Sequence, residues 1–176
     1  MSTESKHKQP IDHTPSPFVL SCLTNQPVGI QALDLACGYG RHTHILKSKG
    51  FSVVSGDLSI SGLQVIKRDM ENSFCVQLDA CVDLPFLDNS FDLVIVVHYV
   101  HKGLLSRLAR LISPGGFLIY ETYGGQGENW RSLPIHGELE DELTPNFSII
   151  KKRESYVGPK DDPHVNLKLL AKKNYA

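Results

Sequence analysis

The sequence predicts an α/β fold, with a mainly parallel sheet that helices cover on both faces. Between residues 30 and 121, apolar strand-like runs alternate with helix-like segments five times, which is typical of parallel strands joined by crossover helices. The run Phe91–Val97 is apolar without alternation, as expected for a strand buried on both faces. The segments 147–156 and 165–172 are joined by a turn too short for a helix, so we expect an antiparallel hairpin.

Length and composition fit a single domain. The chain has 176 residues, a net charge of −1 and four cysteines without a C-x-x-C pair. A balanced charge argues against a broad nucleic-acid or membrane-surface footprint. No signal peptide and no bilayer-length apolar run is recognised, so we expect a reducing, cytoplasmic setting. We expect a flexible arm at residues 1–14 and one domain at 15–176.

The individual elements are predicted from apolar spacing and from glycine, proline and aspartate signals at their ends. A short helix begins at Pro15, with Phe18 and Leu23 facing the core, and further helices span 41–49, 60–71, 102–112 and part of 134–143. The parallel strands are predicted at 30–35, 51–57, 74–78, 91–97 and 117–121. Pro114-Gly115-Gly116 precedes the last of them, and a glycine-rich hinge or lid loop follows it around Gly125 and Gly127.

The first strand is followed by a Gly-x-Gly turn at Gly38 and Gly40 and then by a helix. Glycines allow a ligand to approach the main chain, and the start of the helix directs free N–H groups and a positive dipole end at that ligand. We expect Asp34 to order this turn by accepting backbone N–H groups, in preference to contacting the ligand directly. The unit by itself is a weak nucleotide-binding signal.

Acids at the ends of the next two strands make the signal more specific. Asp57 follows the second strand, where a carboxylate suits a ribose hydroxyl pair and disfavours a 2′-phosphate. Asp79 follows the third strand and could accept from an adenine amine, with the Ala80 N–H facing a ring nitrogen. Together they outline an adenosine. The alternatives are that Asp57 caps the following helix and that Asp79 is an ordinary turn residue.

The motifs LDLACGYGRHT, SGDLS, QLDA, FDLVIVVHYV and SPGGFLIYET occur in the order and spacing of class I S-adenosylmethionine-dependent methyltransferases. The chain resembles that family over about residues 17–122, and most closely its small members similar to tellurite-resistance and ubiquinone-pathway enzymes (methyltransferase type 11). The resemblance implies a Rossmann-like, seven-stranded sheet ordered 3-2-1-4-5-7-6 with an antiparallel seventh strand. It implies S-adenosyl-L-methionine as cofactor, held by Asp34, Ala36, Cys37, Gly38, Gly40, Asp57, Leu58, Asp79, Ala80, Val97 and His98.

One departure from the family pattern is Ala36, which replaces the first glycine of the usual G-x-G-x-G. We expect this position to keep a negative φ, which alanine tolerates. Arg41 and His42 follow the turn and could hold the methionine carboxylate or an anionic acceptor, although surface or packing roles are equally plausible.

The predicted chemistry asks little of the protein, because the sulfonium donor is already activated and transfer is an in-line displacement aided by alignment and desolvation. A base is needed only if the acceptor must lose a proton. The catalytic candidates are His98, Tyr99 and Tyr123, with His101 and Glu121 nearby; a purely structural role for His98 is as plausible.

We expect the chain to methylate a small molecule, with the acceptor, oligomeric state and any protein partner left open. One alternative is an NAD-dependent oxidoreductase, although Thr43 stands where its third glycine belongs. Others are a non-catalytic or partner-dependent cofactor-binding subunit and, less consistent with the charge, a nucleic-acid methyltransferase. The histidine pairs lack further ligands, so no metal is expected. Trp130 either covers the active site or packs on the helix after it.

Overall fold

The computed structural model describes residues 13–24, 31–123, 129–161 and 164–175. The predicted arm up to residue 12 and the Gly125–Gly127 hinge lie outside these residues. In chain order the elements are α1 (Pro17–Leu23), β1 (Gln31–Leu35), α2 (Arg41–Ser48), β2 (Ser52–Asp57), α3 (Ile60–Asp69), β3 (Phe74–Gln77), β4 (Phe91–Val97), α4 (Leu104–Leu111), β5 (Ile112–Glu121), a 3-10 turn (Asn129–Ser132), α5 (Glu138–Leu143), β6 (Phe147–Tyr156) and β7 (Val165–Lys173).

The seven strands form one sheet in the order β3-β2-β1-β4-β5-β7-β6. Strands β1 to β5 pair in parallel, whereas β7 is antiparallel to both β5 and β6. Both the predicted order and the reversed last strand are confirmed. The arrangement brings the carboxyl ends of β1, β2, β3 and β4 to one edge of the sheet, where ligands bind in such folds.

Helices cover both faces of the sheet, because strand β4 carries apolar side chains on both of its faces. Its side chains alternate between two apolar clusters: Leu93, Ile95 and Val97 pack with α1 and α2, whereas Val94 and Val96 pack with α4 and α5. This confirms the prediction of a strand buried on both faces. Phe18 and Leu23 of α1 are buried as predicted.

The prediction of a strand–helix unit repeated five times is wrong for the third unit, because no helix directly follows β3 among the described residues. Residues 78–90, between β3 and β4, contain turns and no helix among the described residues. The predicted start of the fifth strand at Phe117 is also wrong, because β5 begins at Ile112 and runs through Pro114, Gly115 and Gly116, with irregular pairing between Phe91 and Leu93 of β4. Gly115 has a φ of 77°, so the Pro-Gly-Gly sequence produces a bulge in the strand instead of a turn before it.

The sheet ends in strand β6, which carries a basic run, Lys151–Arg153. Lys152 forms ion pairs with Glu140 of α5 and Glu154 of β6. These contacts hold α5 against the end of the sheet. None of the described helices is long and apolar enough to cross a membrane.

Candidate nucleotide-binding and methyl-transfer site

The turn between β1 and α2 is built from three residues with left-handed backbone conformations. Ala36, Gly38 and Gly40 have φ values of 54°, 56° and 82°. The expectation that Ala36 keeps a negative φ is therefore wrong: alternate residues of the turn all adopt positive φ, and alanine does so at a cost of about 1 kcal/mol. A Cβ on Gly40 would lie 2.6 Å from Ile66 of α3, so packing also favours glycine there.

Helix α3 touches the same turn from one side. A Cβ on Gly62 would lie 2.3 Å from the Gly38 carbonyl oxygen, whereas a Cβ on Gly38 would meet nothing within 4 Å. The main chain is therefore covered by α3 on one side and open where Gly38 would carry its side chain. Sequence reasoning missed Gly62, because a glycine early in a helix is an ordinary capping-region residue.

Asp57 joins the end of β2 to this turn. Its Oδ2 accepts a hydrogen bond from the Gly38 N–H at 2.8 Å, and its Oδ1 accepts from the Ser59 N–H at 2.8 Å. Ser59, not Asp57, is the N-cap of α3. Because each carboxylate oxygen has two lone pairs, both Asp57 oxygens keep capacity to accept from ligand hydroxyls.

Asp34 lies beneath the turn and is fully buried. It accepts from the Thr43 hydroxyl at 2.6 Å, and that hydroxyl is also 2.9 Å from Ser55 Oγ. Asp34 accepts from both the hydroxyl and the backbone N–H of Thr43, so the backbone N–H group that it accepts from lies at the start of α2 and not in the glycine turn itself. Burial raises the pKa of Asp34 to about 6, against the lowering effect of the Thr43 hydrogen bonds. This contact also explains threonine at the third-glycine position.

The end of β3 carries Asp79, whose Oδ1 accepts from the Cys81 N–H at 2.8 Å. This hydrogen bond lowers the pKa of Asp79. Arg107 of α4 donates to the Ala80 carbonyl at 2.9 Å, and Cys81 Sγ is 3.1 Å from the Tyr99 hydroxyl. Tyr99 therefore lies at the β3 side of the site. Arg107 is a contact residue that sequence reasoning missed, because only the fold brings α4 to this turn.

His98 follows β4 with a φ of 61° and a half-exposed side chain. Its Nδ1 is 3.2 Å from Arg41 Nη2, and its Nε2 is 3.8 Å from Glu121 Oε1. Glu121 is buried and accepts from Ser16 Oγ and Lys168 Nζ at 2.5 and 2.6 Å. Burial, followed by the charge of Arg41, lowers the pKa of His98. Sequence reasoning missed Ser16 and Lys168, which are distant in the chain.

Several predicted residues have packing roles. Cys37 is buried against α3, and burial raises the pKa of its thiol. His42 is buried and accepts from the Ser16 N–H at 3.1 Å. Val97, the last residue of β4, packs in the apolar cluster that also contains the buried side chains of α1. Their side chains support the site from behind.

The remaining predicted residues lie around the rim. His101 Nδ1 is 3.3 Å from Arg107 Nη2, and Tyr123 is half-buried just past β5. The Trp130 ring packs on Gly158 in the β6–β7 turn and edge-on against His164, a contact that neither prediction for this residue included. The tryptophan thus anchors the hairpin.

The residues present fit a bound nucleoside. Three groups line one edge of the sheet: the open backbone of Gly38, the carboxylate of Asp57 and the carboxylate of Asp79. Two apolar side chains beside them stay exposed, Leu58 by 63% and Val82 by 57%. Carboxylates for ribose and amine groups next to apolar surface for a purine ring are what an adenosine requires.

Comparison with known proteins agrees with this geometry. Residues 33–120 match the family model described as "Methyltransferase domain". A 2-methyl-6-phytyl-1,4-hydroquinone methyltransferase of Synechocystis is 31% identical over 73% of this chain and 45% of its own length. A demethylmenaquinone methyltransferase of Renibacterium salmoninarum is 34% identical over 54% of this chain and 42% of its own. The chain therefore spans less than half the length of these relatives.

A solved structure shows the same fold over its whole length. The structure of a methyltransferase from Methanosarcina mazei described as S-adenosylmethionine-dependent superposes with a TM-score of 0.69, covering 93% of this chain and 100% of the other at 17% identity. Fold, turn geometry and family match lead to one assignment: this chain belongs to the class I S-adenosylmethionine-dependent methyltransferases.

Proposed function

We propose that this chain binds S-adenosylmethionine along the edge formed by β1, β2 and β3, and transfers its methyl group to a small molecule. The observation that carries the proposal is the position of the Asp57 carboxylate, whose Oδ2 lies 2.8 Å from the Gly38 nitrogen. A carboxylate that can accept hydrogen bonds from ribose hydroxyls therefore lies beside an open glycine turn. When bound, the sulfonium cofactor supplies an activated methyl group. The protein has to bind, align and exclude water.

Each part of the edge has a proposed role. Gly38 gives the ligand access to the main chain, and Gly40 lets Ile66 of α3 pack against the turn. Asp57 accepts from the ribose, and Asp79 and the Ala80 N–H meet the adenine. Leu58 supplies apolar contact to the ring. Asp34 and Cys37 act from below, by fixing the turn. Ala36, His98 and the main chain of Val97 complete the proposed cofactor contacts.

The proposed methyl acceptor is a hydroquinone-type small molecule, the reduced form of a quinone, with an acidic phenolic hydroxyl. The relatives' names support this class, since they refer to a hydroquinone and to demethylmenaquinone. The rim supports it as well, because Arg41 and His98 place a guanidinium and an imidazole together beside the end of β4, where they can meet a phenolic oxygen. His98, Tyr99 and Tyr123 are the proposed acceptor-side residues.

The cofactor proposal is tested by calorimetric titration with S-adenosylmethionine and S-adenosylhomocysteine, and with NAD as a comparison ligand. We expect both sulfur compounds to bind the wild type, and Asp57→Ala to weaken binding by roughly 10-fold to 100-fold, since about 1.5–3 kcal/mol is lost with charged hydrogen bonds. A screen of hydroquinones as methyl acceptors then measures whether the methyl group passes from the cofactor to any of them.

The matched control is Asp88→Ala, which removes the same charge at a solvent-exposed turn where Asp88 pairs with Arg110. It should bind like the wild type. Thermal melts establish that each variant is folded. Folded wild-type protein that binds neither sulfur compound, or that binds only NAD, contradicts the proposal.

A further inference from the structure

Glu121 is a buried carboxylate whose placement the cofactor contacts do not explain. It is 3% exposed, yet it is surrounded by polar groups: Ser16 Oγ at 2.5 Å, Lys168 Nζ at 2.6 Å and His98 Nε2 at 3.8 Å. A buried charge needs such partners to offset its desolvation. Lys168 provides the opposite charge and Ser16 a hydrogen bond, so His98 is the one neighbour among these that faces the site.

Glu121 also holds the main chain of His98. The His98 N–H donates to the Glu121 carbonyl at 2.7 Å, while the φ of His98 is 61°. A residue other than glycine in this conformation costs roughly 1 kcal/mol and persists only where the surroundings impose it. Glu121 therefore contacts the strained His98 twice: its carbonyl accepts from the His98 N–H, and its carboxylate lies near the His98 ring.

The contacts of the His98 ring define its protonation. A guanidinium can only donate, so the 3.2 Å contact from Arg41 Nη2 requires a lone pair on Nδ1. A neutral imidazole then carries its proton on Nε2, which faces Glu121 at 3.8 Å. That distance is an electrostatic contact, longer than a hydrogen bond.

We propose that Glu121 is a positioning residue that holds His98 as the Nε2–H tautomer and makes Nδ1 the proton-accepting atom of the site. The inference rests on the proposed methyl-transfer function and narrows its acceptor to one with an acidic hydroxyl. When such an acceptor binds, the Arg41 guanidinium donates to the acceptor's hydroxyl oxygen instead of to His98, which leaves the lone pair of His98 Nδ1 available. The acceptor O–H bond then breaks, an N–H bond forms at Nδ1, and the resulting imidazolium faces the Glu121 carboxylate, as in other base–orienter pairs.

Three charged groups act on the His98 ring from three elements. Arg41 of α2 and Lys168 of β7 lower the pKa of His98, and Glu121 of β5 raises it, while burial lowers it most. Removing the Glu121 charge should therefore lower the pKa of His98. Removing the Arg41 charge should raise it. The two substitutions should therefore shift the pKa of His98 in opposite directions, so each serves as a comparison for the other.

The test is two-dimensional NMR of the imidazole nitrogens as a function of pH in the wild type, Glu121→Gln and Arg41→Ala. We expect an Nε2–H tautomer for wild-type His98, and a pKa that falls by about 1 in Glu121→Gln and rises in Arg41→Ala. An Nδ1–H tautomer in the wild type, or an unchanged pKa in Glu121→Gln, overturns the proposal. If the glutamine variant does not fold, Glu121→Asp shortens the side chain with its charge kept, and must shift the same pKa downward.

Glu154→Gln is the control, because Glu154 Oε1 lies 2.5 Å from Nδ1 of the exposed His136 in a separate pair. It should change the His136 signals and leave those of His98 unchanged. Titration of the same samples with S-adenosylhomocysteine separates the two proposals. Wild-type protein that shows the expected His98 tautomer and pKa changes but binds no cofactor refutes the proposed function and leaves the positioning role of Glu121 supported.

Discussion

At the scale of single residues, the turn after β1 is defined by backbone angles more than by side chains. Ala36, Gly38 and Gly40 share positive φ values, and the alanine is the one member with a Cβ. A Cβ in this region clashes with the following carbonyl oxygen. The residue that departs from the family's glycine pattern therefore carries local strain, which a substitution can release.

We expect Ala36→Gly to stabilise the protein by about 0.5–1 kcal/mol, because relief of left-handed strain exceeds the added unfolded-state entropy of glycine. Urea unfolding measures the difference. The matched control, Ala109→Gly, makes the same change inside helix α4 at a buried position and should cost about 1 kcal/mol or more. A loss of stability in Ala36→Gly would contradict the role given to its φ.

At the scale of elements, the contact between α3 and the turn fixes the covered side of the site. Gly62 lies in the first turn of α3, and a methyl group there would meet the backbone of Gly38 at 2.3 Å. Backbone atoms cannot move aside as a flexible side chain does. The distance between helix and turn therefore depends on one missing methyl group.

We expect Gly62→Ala to lower the free energy of unfolding by roughly 1–3 kcal/mol through overpacking and to weaken S-adenosylhomocysteine binding about tenfold or more. Without the contact, glycine to alanine in a helix would add about 1 kcal/mol of stability, so the sign of the change is diagnostic. Gln64→Ala, at an exposed position of the same helix, should change neither quantity appreciably. A stabilised Gly62→Ala with unchanged affinity contradicts the contact.

At the scale of the whole molecule, the sequence predicted the parallel strands and the terminal antiparallel hairpin because periodicity and turn length are local signals that reflect burial. It placed Phe18 in the core for the same reason. The order of the strands followed from the resemblance to the methyltransferase family, since local signals do not specify which strands pair. The sequence could not predict the conformation of Ala36, which depends on the turn around it. Nor could it predict the Ser16–Glu121–Lys168 contacts, since they join residues more than forty positions apart in the chain.

The global stability should depend on pH through two buried groups of opposite effect. Burial lowers the pKa of His42 to about 4, so between pH 6.5 and 4 the unfolded chain binds more protons and stability falls as pH falls. The raised pKa of Asp34, about 6, acts in reverse: between pH 6 and 3.8 the folded chain binds more protons, and stability rises as pH falls.

The variant His42→Gln isolates the histidine, because the Asp34 effect is common to both proteins. From pH 7 to pH 4 the wild type should lose roughly 3 kcal/mol of unfolding free energy relative to the variant. Urea unfolding at a series of pH values measures this difference. Parallel pH profiles for the two proteins would show that His42 titrates alike in the folded and unfolded states.

The basic run on β6 bears on how these molecules behave when crowded together. β6 is the last strand of the sheet, and an outer strand offers unpaired backbone groups to which another chain can add. Arg153 is exposed there and Lys151 is partly exposed, so two copies that approach through β6 bring like charges together. The run therefore disfavours edge-to-edge pairing of two sheets, and a neutral residue in place of Arg153 would weaken this protection while leaving the ligand-binding edge unchanged.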